Sequence, residues 1–187
     1  MNDIIKGILE RRSIRKYRTD PIPAADRDLI VQAGLYAPSS KNTQAWHITV
    51  VEKPDLVARI TEELKAAIVR ANIEKYLAMT GNPKYTVNYG GAPLFMIVSC
   101  DPSRTSCPVE DCSMVLANMF LAAHSLGIGS CWINQLGPVC DEPGFRAFIT
   151  SLGVPAENRI FGSACFGYNA AAHPSAPPRR EGTVNYA

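Results

Sequence analysis

The chain has 187 residues, 47% of them hydrophobic and 19% charged, with a formal net charge of +2. That balance excludes a disordered polyelectrolyte and suits one domain with a sizeable buried core. It also argues against a nucleic-acid surface, because the basic residues are dispersed apart from residues 11–18 and 179–180.

In chain order, Ile4, Ile5, Ile8 and Leu9 predict a short helix over 3–11, with Asp3 near its start. Asp3, Lys6 and Glu10 interrupt these apolar residues, so no secretory signal core forms. An extended basic segment covers 13–20. A helix over 24–36 begins after Pro23, a residue suited to a first helical turn. A polar loop, 37–47, leads into a strand over 47–52. Pro54 opens a helical stretch reaching about Met79, with Ile60, Leu64, Ala67, Ile68 and Ala71 at helical spacing. Gly81-Asn82-Pro83 breaks it, and residues 80–92 form a loop rich in Tyr, Asn and Gly. The continuous apolar run 94–100 reads as a buried strand. A helix over 110–126, a strand over 129–135, a helix over 142–152 and a strand over 159–168 complete the ordered elements. The tail, with Pro174, Pro177 and Pro178 and few apolar groups, reads as disordered in isolation.

From Cys112 through Cys140 there is no Asp, Glu, Lys or Arg. The helical part is nevertheless shorter than the roughly 20 residues that span a bilayer. An apolar helix of this kind is expected at the centre of the protein, packed against its symmetry mate.

Four clusters bear on function. The first is Arg11-Arg12-Ser13-Ile14-Arg15-Lys16-Tyr17. Guanidinium forks and a hydroxyl suit a phosphate, although a basic cluster taken alone is more often a solvated surface. The second, Ala37-Pro38-Ser39-Ser40-Lys41-Asn42-Thr43-Gln44-Ala45-Trp46-His47, offers uncharged donors and acceptors at Ser39, Ser40, Asn42 and Gln44. These can read a polar heterocycle or ribityl hydroxyls, or simply order a turn. The third runs from Leu126 through Gly127-Ile128-Gly129-Ser130-Cys131-Trp132-Ile133-Asn134-Gln135, and the fourth is Pro177-Pro178-Arg179-Arg180. The six cysteines form no C-x-x-C pair and fit neither zinc nor iron–sulfur spacing, so buried free thiols and a reducing cytosol are expected. His47 and His124 read as structural.

These four segments, in this order, resemble the nitroreductase family of FMN-dependent NAD(P)H oxidoreductases over about Ile4 to Arg180. The resemblance implies an α+β fold: a mainly antiparallel central sheet flanked by helices, in an intertwined homodimer with two FMN sites at the interface. Residues 1–187 would form one FMN-binding domain, with about 170–187 an extended arm around the partner, anchored at Val184 and Tyr186. Arg11, Arg12, Ser13 and Arg15 would line the phosphate and pyrimidine side of FMN. Pro38, Ser39, Ser40 and Asn42, with Gln44 beside them, would reach it from the other subunit. Trp132, Ile133, Asn134 and Gln135 would run beside the central ring, and Arg179 or Arg180 would close over the phosphate.

The implied chemistry moves a hydride from NAD(P)H through the flavin N5 to small electron-poor acceptors such as nitroaromatics or quinones, in ping-pong fashion. The flavin carries the reaction, so no catalytic side chain and no metal are assigned; Arg15 would favour the reduced ring. No Rossmann fingerprint, nucleophile elbow or zinc motif is present to suggest otherwise. Three alternatives remain open: specialised flavin chemistry on the same fold (dehalogenation, ene reduction or flavin breakdown), a flavin-binding redox module without turnover, or a scaffold without flavin. A cytoplasmic protein with no membrane or nucleic-acid partner is expected.

Overall fold

The computed structural model describes residues 1–186. Its elements in order are α1 (Asp3–Glu10), α2 (Ala24–Leu35), β1 (Trp46–Val51), α3 (Pro54–Arg70), α4 (Glu74–Thr80), β2 (Leu94–Cys100), α5 (Pro108–Ser125), β3 (Gly129–Ile133), α6 (Pro143–Ser151) and β4 (Arg159–Gly167). Single 3₁₀ turns occupy Ser40–Asn42 and Gly137–Val139.

The four strands make one sheet in the order β1-β2-β4-β3, with every neighbour antiparallel. Helices cover both faces, because β2 is apolar on both. Leu94, Met96, Val98 and Cys100 pack with Cys112, Val115, Leu116 and Met119 of α5 and Ile30 of α2. Phe95 and Ile97, pointing the other way, pack with Ile60, Leu64 and Ile68 of α3 and Phe145 and Ile149 of α6. The α+β architecture with a mainly antiparallel sheet therefore matches the expectation.

Two expectations need correction. The stretch from Pro54 to Met79 is two helices. Asn72 takes a left-handed conformation (φ 50°), its N–H donates to Val69 O, and the N–H of Ile73 donates to Ile68 O, which closes α3. Asn tolerates that conformation better than most residues, and the paired bonds satisfy the last carbonyls. The strand expected to reach residue 135 ends at Ile133, where its pairing with Ser163 is the last in the ladder. Asn134 and Gln135 belong to the following turn. Five of the cysteines are buried and free as expected; Cys107 is only half-buried, at the cap of α5.

The expected stop of the long apolar helix is borne out in detail. Gly127 (φ 72°) follows the cap, its N–H donates to His124 O, and the N–H of Ile128 donates to Ala123 O. Among the described residues no helix is long and apolar enough to cross a membrane. α5 buries Val115, Leu116, Met119 and Ala123 but leaves Val109 and Met114 exposed. Ile4, Ile5, Ile8 and Leu9 of α1 and Leu29 and Leu35 of α2 are exposed as well.

Arg70 Nε and Nη2 meet the two carboxylate oxygens of Glu142 at 2.9 and 2.7 Å, joining the end of α3 to the start of α6. Glu142 also accepts the N–H of Phe145 at 2.8 Å, capping α6. The Arg70 contact, then the backbone donors, hold the Glu142 carboxyl down at about 2. A lowered folded pKa stabilises above the ordinary value of 4.5, and that contribution is lost as pH falls through about 2. Denaturant titrations should show the stability gap between wild type and Glu142→Gln widest above pH 4.5 and closing toward pH 2. A gap independent of pH would remove this ion pair from the account.

Gly129 has no room for a side chain, since a Cβ there would lie 2.6 Å from Ile14 Cγ1. Gly129→Ala is expected to destabilise by about 1–3 kcal/mol, the usual cost of overpacking. Thermal or denaturant unfolding measures it, and an unchanged midpoint would show that Ile14 can yield.

Candidate functional site

The basic segment is seated on the sheet by its backbone. Ser13 bridges Ser130 in parallel, and the N–H of Ile14 donates to Ser130 O at 3.0 Å. Further on, Tyr17 bridges Asn169. Ile14 and Tyr17 are buried, which leaves Arg15 and Lys16 directed to the surface. Arg11 caps α1 through its N–H to Gly7 O, and its guanidinium lies 5.7 Å from the ring centroid of Phe120. Arg12 Nη1 donates to Arg11 O at 2.6 Å.

Arg11 and Arg12 line a cleft of about 140 Å³ with Ser130, Asn169, His124 and His173, floored by Gly127 and Gly129. Neither arginine forms an ion pair among the described residues. Burial, and next the Arg12 charge, push the Arg11 pKa down. Two adjacent half-buried cations without a carboxylate make a site that gains from an anion. His173 Nε2 lies 2.9 Å from Glu10 O, and its ring centroid lies 6.0 Å from that of His124. Burial and the neighbouring His173 lower the His124 pKa. The part of both histidines in this cleft was invisible in the sequence, where they stand far apart.

The third cluster lies close by. Cys131 points to the α3 face, and Trp132 to the α5 face, where its ring meets Phe120 edge-on at 6.3 Å. Ile133 is buried, and its carbonyl accepts Ser163 Oγ at 2.8 Å. Asn134 is exposed, with Nδ2 at 3.5 Å from the hydroxyl of Tyr76. The neighbouring Tyr89, and next Cys131, push the Arg15 pKa up. The Tyr89 hydroxyl lies 3.8 Å from Cys131 Sγ. Burial raises the Tyr89 pKa, and Arg15 opposes that shift. Tyr89 was missed by sequence reasoning; its place before Gly90-Gly91 was the available signal, and the structure gives it a left-handed backbone (φ 52°). Asn88 turns inward, bonding Ala92 O and Gly90 N within its own loop.

The second cluster lies elsewhere in the same chain. The N–H of Ser40 donates to Asp111 Oδ1 at 2.9 Å, in the first turn of α5, and the Ser40 hydroxyl lies 3.3 Å from that of Ser106. Arg11 instead sits on Phe120, about 13 Å further along α5 at 1.5 Å rise per residue. Pro38, Asn42 and Gln44 are exposed, and Gln44 Nε2 donates to Asn42 Oδ1 at 2.9 Å. Lys41, Asn42 and Gln44 all have positive φ (51°, 55° and 45°). Non-glycine residues persist there only where their surroundings over-determine them, as at ligand clamps. Arg179 and Arg180 are exposed and form no ion pair among the described residues. One chain thus joins the first and third clusters and holds the second at the other end of α5, while the tail passes the first cluster at Pro174 and Ala176 just before Arg179 and Arg180.

Four buried side-chain polar atoms are without a hydrogen-bond partner among the described residues: Arg12 Nε, Thr43 Oγ1, Tyr85 Oη and Gln135 Oε1. Orphaned buried groups are uncommon and costly in folded proteins. Three of them fall in the three ordered clusters, and Tyr85 lies in the loop above. Burial, and next the neighbouring Tyr89 and Tyr76, push the Tyr85 phenol well above its ordinary value.

Comparison with known proteins gives this arrangement its context. A nitroreductase of Bacteroides fragilis, whose crystal structure contains bound FMN, is 38% identical, with a TM-score of 0.94 over 100% of both chains. A nitroreductase of Desulfitobacterium hafniense, also with bound FMN, is 26% identical with a TM-score of 0.82, over 100% of this chain and 99% of that one. A protein of Methanothermobacter thermautotrophicus, named for NADH dehydrogenase and NAD(P)H nitroreductase activity, is 33% identical over 83% of this chain and 79% of its own. The family model described as "Nitroreductase family" matches residues 8–168, from the end of α1 to the end of β4. The chain belongs to the nitroreductase family.

Proposed function

We propose that this protein is an FMN-dependent oxidoreductase that takes a hydride from NAD(P)H and passes it to small electron-poor acceptors such as nitroaromatics or quinones. The observation that carries this reading is the set of orphaned polar atoms. Arg12 Nε, Thr43 Oγ1 and Gln135 Oε1 await a ligand rich in donors and acceptors, in the segments where a flavin mononucleotide needs them. The chemistry of the donors fits that group. Arg11, Arg12 and Ser13 suit its phosphate, Arg15 suits an electron-rich ring edge, and the uncharged Ser39, Ser40, Asn42 and Gln44 suit a heterocycle or a polyol chain.

When bound, FMN supplies the two-electron hydride chemistry. The chain's residues bind and orient. Arg15 places a positive charge beside the third cluster, near Tyr89 and Cys131. The turn at Asn134 and Gln135 presents backbone N–H groups beyond the sheet, where proline is absent and donors are available. Side chains of Trp132 and Ile133 anchor that turn in the two cores.

The separation of the second cluster from the first supports a homodimer in which Pro38, Ser39, Ser40 and Asn42 complete the site of the partner. The exposed apolar side chains of α1, α2 and α5 are the surface such a dimer would cover. The chain is read as one domain, 1–187, whose arm from about 170 carries Arg179 or Arg180 to a phosphate in the assembled dimer. A cytoplasmic location accords with the free thiols.

The purified protein should be yellow and release FMN rather than FAD on heating. Arg11→Ala should weaken FMN binding by about 1.5–3 kcal/mol, the worth of a charge-assisted hydrogen bond, in a fluorescence titration. Released FAD, or unchanged affinity in the variant, would overturn the phosphate assignment. Initial rates with NAD(P)H and a quinone should give parallel double-reciprocal lines, because donor and acceptor use one face in succession. Intersecting lines would indicate a ternary complex and contradict the proposal.

A further inference from the structure

Asp111 is 4% exposed and forms no ion pair among the described residues. A buried carboxylate without a cation is expensive unless hydrogen bonds satisfy it. Here two donors do so. The N–H of Ser40 donates to Oδ1 at 2.9 Å and the hydroxyl of Thr105 to Oδ2 at 2.7 Å. The Thr105 hydroxyl in turn accepts the N–H of Cys107, at the cap of α5. The carboxylate also sits in the first turn of an 18-residue helix, where the helix dipole favours negative charge.

The 37–45 loop partners its own later N–H groups. Asn42 N–H donates to Ser39 O, Thr43 N–H to Ser40 O, and Gln44 N–H to the Ser39 hydroxyl. The N–H of Ser40 is turned away from the loop and is taken by Asp111. Immediately after it come the left-handed Lys41 and Asn42, then Gln44. Left-handed residues of this kind are disfavoured and persist only where their surroundings hold them, and Asp111 supplies such a hold from outside the loop, at Ser40.

We propose that Asp111 is a positioning residue for FMN binding: from inside α5 of one subunit it aims the Ser39–Gln44 loop at the flavin site of the other. This rests on the FMN reading and on the shared site above. Asp111 itself touches no cofactor. Its effect passes through Ser40, and so across the subunit interface, whereas a residue that merely stabilised its own fold would act within its own chain.

The test is a subunit complementation in full-length protein, read by FMN titration. Asp111→Leu should weaken FMN binding about 10- to 100-fold, as expected for loss of a charge-assisted hydrogen bond. Asp111→Asn, which still offers Ser40 an acceptor, should stay within about threefold of wild type. A purified heterodimer of one Asp111→Leu subunit and one Arg11→Ala subunit then holds one doubly impaired site and one intact site. It should bind a single FMN with wild-type affinity, although neither homodimer does. If Asp111→Leu does not fold, Thr105→Val substitutes for it, with a smaller expected loss of about threefold or more. Wild-type affinity in Asp111→Leu or, where that variant does not fold, in Thr105→Val, or a heterodimer without a tight site, overturns the proposal. Wild-type protein that takes up no FMN at all overturns instead the reading on which it rests.

Discussion

Strand β2 has no face to turn toward water, and the rest of the architecture follows from that constraint. Every residue from Leu94 to Cys100 is buried, with alternate side chains entering two separate cores. An antiparallel sheet often leaves one side solvated. Here α2 and α5 must cover one face, and α3 and α6 the other. Because β2 lies inside the sheet, β4 and β1 flank it and β3 is pushed to an edge. That edge is open to the basic segment, which pairs there through Ser13 and Ser130.

The edge position explains why the candidate site forms where it does. Gly129 lets Ile14 pack directly on β3, so the segment carrying the arginines is buried at Ile14 and Tyr17 and presents Arg15 outward. The same strand ends at Ile133 and releases Asn134 and Gln135 as a turn beside it. Charge, backbone donors and two of the four orphaned polar atoms, Arg12 Nε and Gln135 Oε1, thereby belong to the segments at that edge. The cost is visible: adjacent guanidiniums without counterions, and buried groups such as Arg12 Nε and Gln135 Oε1 without partners. Proteins retain such groups where a ligand relieves them.

α5 is the element that supports both halves of the proposed site. Its first turn holds the Ser40 loop through Asp111, and its last turns support Arg11 through Phe120 and the cleft through His124. A rigid helix of 18 residues keeps these supports well apart, so the two halves do not meet within one chain. The exposed apolar side chains on α1, α2 and α5 lie on the elements that carry those halves.

Much of this was legible in the residues alone. Helical and strand periodicity placed the main elements except that α3 and α4 read as one helix, and Gly127 marked the end of α5, because these signals are local and arise from backbone geometry and side-chain spacing. The stop at Asn72 was equally local but weaker, since Asn tolerates the left-handed conformation without demanding it. The four polar clusters identified the family because their residue types and order survive in the sequence. What the sequence did not carry was proximity. Nothing in the spacing joins His124 to His173, Tyr89 to Arg15, or Asp111 to Ser40, because each pair is brought together by how whole elements pack. Residue types and periodicity thus determined the fold class and the chemistry on offer. Only the tertiary structure decided which groups share an edge, which buried atoms remain unpartnered and how far apart α5 holds the two halves of the site, since contact between distant segments depends on packing.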